Sequence, residues 1–133
     1  MIAEIAKQAV LDANVLPAKN ILFHEIVYAD WDGQPKVQIL LDETEPEDVT
    51  QFGILSYRST LRINGLAVKS ADAVKNGKNA AEAVAKRFAE MERRSNCGHA
   101  EPVFTATKTQ EKTQTIDNNR ATVHTTVFDV LHR

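Results

Sequence analysis

The sequence predicts an α+β domain with a largely antiparallel sheet and two helices on one of its faces. Three observations carry that prediction. Most of the chain alternates apolar and polar residues with the period of two that marks strands. Only two stretches, one at the N-terminus and one after the third strand, carry the 3.6-residue period of an amphipathic helix. The resulting order, α-β-β-β-α-β-β, lacks the βαβα alternation of a doubly wound parallel sheet. The 133 residues make one domain of ordinary size, read as a single unit over 1–133.

Residues 2–14 form the first helix, because Ile2, Ile5, Ala6, Ala9 and Ala13 recur at helical spacing and Val10 widens the stripe. Pro17 ends it by removing a backbone donor and disfavouring helix at Leu16. Ile21 to Tyr28 is rich in β-branched and aromatic residues and reads as a strand, as does Val37 to Leu41. Asp30-Trp31-Asp32-Gly33 between them supplies turn chemistry, so the two are expected to pair as an antiparallel hairpin. The five acids Asp42, Glu43, Glu45, Glu47 and Asp48, with Pro46 among them, read as a solvated loop.

Phe52 to Ile63 is the third strand, with Leu55, Tyr57, Leu61 and Ile63 on one face and Ile54, Arg58, Thr60 and Arg62 on the other. Asn64-Gly65 can turn or bulge it, and Leu66 to Val68 can continue it. Ser70 to Lys78 reads both ways, since Ser70 to Val74 can start a helix that Asn76-Gly77 interrupts. The second helix is expected from Asn79, an N-cap with Glu82 three residues on. Ala81, Val84, Ala85 and Phe88 form its apolar stripe, and Asn96-Cys97-Gly98 closes it. Phe52, Phe88, Phe104 and Phe128 are assigned to the core. Val103 to Thr115 and Arg120 to Leu131, joined by the turn signal Asp117-Asn118-Asn119, form a C-terminal hairpin. From Thr107 to Gln114 both of its faces are polar, so burial within its own domain cannot hold it and it is expected to project.

Composition narrows function mainly by exclusion. Hydrophobic residues make up 43%, enough for a core. The formal net charge of −2 gives no long-range attraction to nucleic acid or anionic membranes, leaving at most non-specific contact with a passing DNA duplex. The one cysteine, Cys97, cannot form an internal disulfide, which suits a reducing compartment. The N-terminus has no signal-peptide pattern, and no apolar run is long enough for a membrane span.

No phosphate-binding glycine loop, metalloprotease motif or nucleophile elbow is present. Cys97-Gly98-His99 offers two zinc-type ligands without the second pair such a site needs, and reads as a helix-cap turn. No metal, cofactor or catalytic residue is assigned. His24 and His124 could approach one another if their strands pair, which is the basis of a rival reading as a small metal-dependent enzyme using histidine and carboxylate. The acidic run could bind a divalent ion weakly, but reads first as a negative patch facing a basic neighbour. Trp31, on a turn, either folds back on its own domain or anchors an interface.

Taken together, Ile2 to Asn14 as leading helix, Val37-Gln38-Ile39-Leu40-Leu41 with its acidic sequel, Ser56 to Val68 running out before the helix Ala80 to Arg94, and the closing strand Ala121 to Leu131 resemble the tail-terminator or tail-completion (neck) proteins of long-tailed bacteriophages. The resemblance covers most of the chain and is one of pattern. It implies a structural virion protein without catalytic residues, assembled in the host cytoplasm and located in the tail or neck. It implies a homo-oligomeric ring, commonly a hexamer, that caps the tail-tube protein and meets the head connector.

A closed ring requires one patch to meet a different patch on the next copy. Lys108 and Lys112 on the hairpin are expected to face Asp42, Glu43, Glu45, Glu47 or Asp48 of a neighbour, with Trp31 as a further interface candidate. The alternatives are another head-tail joining protein, the histidine enzyme, and a monomeric adaptor that grips a partner by adding a strand.

Overall fold

The computed structural model describes residues 2–51, 53–97, 104–116 and 118–133. It has the predicted order of elements: α1 (Ile2–Asp12), β1 (Ile21–Leu22), β2 (Lys36–Thr50), β3 (Gly53–Ala67), α2 (Ser70–Cys97), β4 (Phe104–Ile116) and β5 (Ala121–His132). The strands form one mixed sheet in the order β1-β2-β3-β5-β4. Every pairing is antiparallel except β1 with β2. Both helices pack on one face. Ile2, Ala6 and Val10 of α1 and Ala80, Val84 and Phe88 of α2 share a core with Val37, Ile39, Leu61, Ile63, Phe128 and Val130. Phe88 is its centre, tilted against Phe104 and edge-on to Phe128.

The close fit of α2 to the sheet depends on two glycines. A methyl at Gly65 would run into the Ala73 carbonyl oxygen and the Gly77 backbone, while one at Gly77 would meet the His124 side chain. Asn76-Gly77 therefore does not interrupt the helix. The helix begins at Ser70, not at Asn79, because the packing gained where Gly77 lies against β3 and β5 outweighs the ~1 kcal/mol that a mid-helix glycine costs.

Two strand expectations are corrected. Only Ile21–Leu22 of the 21–28 segment is extended, and it runs parallel to Val37–Gln38. No hairpin forms there, because the remaining apolar residues have another use. Ile26, Tyr28 and Trp31 cross the sheet face away from the helices and pack on Leu66, Ala121, Val123 and Ile116. The buried Lys36 ammonium pins this crossing by donating to Asn20 at 2.7 Å and Asp32 at 3.2 Å. The acidic run is likewise not a loop. It is the outer half of β2, paired from Glu43 to Thr50 with Thr60 to Gly53 of β3.

The C-terminal hairpin takes its predicted place, but its polar length is a sheet edge and not a projecting ribbon. β5 is paired with β3 from Ala67 to Tyr57, and β4 is paired with β5 from Phe104 to Ile116. Thr107 to Thr115 is exposed because β4 is the edge strand. The ribbon that outruns its neighbours is β2–β3, since β5 ends opposite Tyr57 while β2 and β3 stay paired to Thr50 and Gly53. Phe52, Gly98, His99, Val103 and Asp117 lie outside the described residues.

Candidate functional site

The described surface worth attention is the sheet face turned away from the helices, together with the two edges that bound it. Its polar character follows from register. Gln38, Asn64 and Thr125 lie side by side on β2, β3 and β5. Asn64 donates to the Gln38 side-chain oxygen at 3.2 Å and accepts from the Thr125 hydroxyl at 2.9 Å, while Gln38 donates to the His24 carbonyl. All three side chains are buried beneath or beside the 23–35 crossing, and each has a partner.

Farther out, two arginines organise the acidic strand. Arg62 binds both oxygens of Asp42 at 2.9 and 3.0 Å and reaches Glu25 at 2.8 Å. Arg58 binds both oxygens of Glu47 at 3.2 Å and also donates to Asp129 of β5. Hydrogen bonding from Arg58 holds the Glu47 carboxyl below its ordinary pKa. Ser56 donates to Asp48 at 3.1 Å. Glu43 and Glu45 form no ion pair among the described residues. They project side by side, and the hydrogen bond and repulsion from Glu45 push the Glu43 carboxyl above its ordinary pKa.

The other edge carries the predicted lysines. Lys108 is already engaged, donating to Glu111 at 2.9 Å and holding that carboxyl below its usual value. Lys112, paired in register with Thr125, is exposed and has no ion pair among the described residues. Trp31 takes the first of its two expected positions. It folds back against the sheet and donates its indole N–H to the Gln34 carbonyl at 2.9 Å.

The structure therefore divides the predicted interface residues. Asp42, Glu47, Asp48 and Lys108 are satisfied within the chain, whereas Glu43, Glu45 and Lys112 face outward with unbalanced charge. The acids and lysines lie on opposite edges of the sheet. The internal pairing of acids with Arg58 and Arg62 escaped the sequence reading. No local signal marks it, since Arg62 takes Asp42 and Glu25 and Arg58 takes Glu47 and Asp129 from separate segments.

His24 and His124 are not brought together. His24 is exposed on the crossing, with Nδ1 against the Glu25 carbonyl. His124 is buried under α2, between the Thr113 hydroxyl at 2.8 Å and the Glu111 carboxylate at 3.1 Å. A serine–histidine contact does occur, Ser59 to His132 at 2.7 Å, where the 1% exposed Ser59 borders a small cavity of about 260 Å³ shared with Thr44 and Tyr57. Among the described residues no group of three or more His, Cys, Asp or Glu could hold a metal ion, and no described helix is long and apolar enough to cross a membrane.

These features define a class by architecture: a mixed five-stranded sheet, helices on one face, an ion-paired ribbon and two unlike free edges. No family model matches the chain, and no curated protein does. Among solved structures it is similar to a chain in the virion of a native gene transfer agent particle. The match covers 95% of this chain and 92% of that one, with a TM-score of 0.54 and 12% identity. The similarity shows a shared fold.

Proposed function

We propose that this chain is a structural protein of a phage-like virion, of the tail-terminator type, acting by assembly into a ring that caps the tail tube and joins it to the head connector. The observation that carries the reading is the fold shared, over nearly the full length of both chains, with a component of a gene transfer agent virion. The surface supports it physically. A ring needs two unlike patches on one subunit, and here an acidic ribbon and a basic edge strand lie at opposite sides of the sheet. Lys112, without an ion pair among the described residues, remains available on β4 for a partner surface.

The test is to follow the purified chain by light scattering after size exclusion, then to add tail tubes and view them by negative-stain electron microscopy. The expected outcome is a particle of several chain masses that decorates one end of each tube. A monomer that leaves tubes uncapped and of uncontrolled length would refute the proposal. Binding at the connector face with no effect on tubes would favour a different joining protein of the neck.

A further inference from the structure

On the far side of the molecule from the ribbon's exposed face, α1 and α2 enclose a polar cleft of about 470 Å³. Its walls carry Asn14, Lys75, Asn76, Asn79, Glu82 and Lys86. Asn14 sits just past the end of α1 in the left-handed conformation, φ 54°, which carries the chain away and leaves the cleft open. Lys75, Asn76, Asn79, Glu82 and Lys86 all belong to the first half of α2. Asn76, 9% exposed, lines the cleft with an amide that makes no side-chain hydrogen bond to another described residue. Neither Lys75 nor Lys86 forms an ion pair among them. Two ammonium groups against the one carboxylate of Glu82 leave the cleft positive.

We infer that this cleft receives the carboxylates of Glu43 and Glu45 from a second copy of the chain. The inference rests on the assembly proposed above and names the surface that takes the ribbon. The two partners are opposite in charge. The ribbon offers two adjacent carboxylates that form no ion pair among the described residues, and the cleft offers two ammoniums and three amides beside Glu82. The repulsion between Glu43 and Glu45 is relieved when cations lie against them. The patches also point in different directions. Glu43 and Glu45 stand opposite Thr60 and Arg58, toward the Tyr57 end of the sheet, while the half of α2 that carries the cleft lies over Gly65 and His124 at the other. Such a contact is head-to-tail and propagates from copy to copy.

Two experiments test it. In a Cys97→Ser background, chains with Glu45→Cys are mixed with chains carrying Lys86→Cys and oxidised mildly. A disulfide-linked dimer of the two variants is expected, at least tenfold above the yield when Lys112→Cys replaces Lys86→Cys. Equal yields, or no dimer, overturn the assignment. In parallel, Lys75→Glu with Lys86→Glu is expected to raise the concentration for half-assembly by about tenfold or more, and Glu43→Lys with Glu45→Lys in the same chain is expected to restore it. Circular dichroism checks that each variant is folded. If the natural chain assembles and the Lys75→Glu, Lys86→Glu variant assembles equally well, the cleft is excluded while the ring reading stands. If the natural chain stays monomeric at every concentration, both fall.

Discussion

At the scale of single residues, the ribbon places carboxylates of opposite behaviour a few residues apart. Glu47 is stabilised as an anion by Arg58, whereas Glu43 resists ionisation because Glu45 stands beside it. The signs of their effects on stability are opposite. With its pKa lowered by folding, Glu47 contributes stability that is present above the ordinary carboxylate range and is lost as pH falls through its folded pKa. With its pKa raised by folding, Glu43 contributes stability at low pH that is lost as pH rises through its folded value. Glu45→Gln is therefore expected to bring the Glu43 midpoint down toward its ordinary value, leaving Glu47 unchanged, in an NMR titration of the side-chain carboxyls. Arg58→Ala should raise the Glu47 midpoint instead. Because Arg58 is well exposed, its loss should leave the midpoint of a denaturant unfolding curve nearly unchanged.

At the scale of elements, the approach of α2 to β3 is the least tolerant contact in the fold. Gly65 faces backbone atoms of Ala73 and Gly77, which cannot move aside as a flexible side chain would. Gly65→Ala is expected to destabilise the chain by about 1–3 kcal/mol, or more if α2 is lifted from the sheet, measured by urea unfolding. Phe88→Ala removes the aromatic that touches both Phe104 and Phe128 and should cost about 3–5 kcal/mol in the same assay. The edge strand β4 raises a different issue. A 13-residue strand with one free side is a template for unwanted pairing, and its lysines guard it. Lys112→Val should increase concentration-dependent turbidity without lowering the unfolding midpoint.

At the scale of the whole molecule, the sheet has a basic, threonine-rich edge and an acidic one that extends past its neighbours. A subunit built this way is suited to contacts between unlike surfaces. Charge-based contacts between exposed groups weaken with salt, so the assembled mass is expected to fall as ionic strength rises from low to near-molar salt. An assembly indifferent to salt would point instead to exposed apolar side chains such as Leu41, Val49 or Val68.

The sequence by itself determined the fold class, the order of elements and most of the core. Those properties follow from local periodicity: Ile2, Ala6 and Val10 on α1, Val84 and Phe88 on α2, Leu61 and Ile63 on β3 are apolar at the spacing that buries them. Only the tertiary structure decided what the polar residues do. The acidic run looked like a loop because charge and a proline suit solvent, and nothing local showed that Arg58 and Arg62 would stand across from it. The segment 21–28 looked like a hairpin strand because its apolar alternation is equally suited to covering a sheet face. The cleft between the helices, with Asn14, Asn76 and Lys86 drawn from distant positions, has no local pattern at all. Which partner a residue finds depends on register and on the packing of remote segments, and periodicity along one strand or helix carries no information about either.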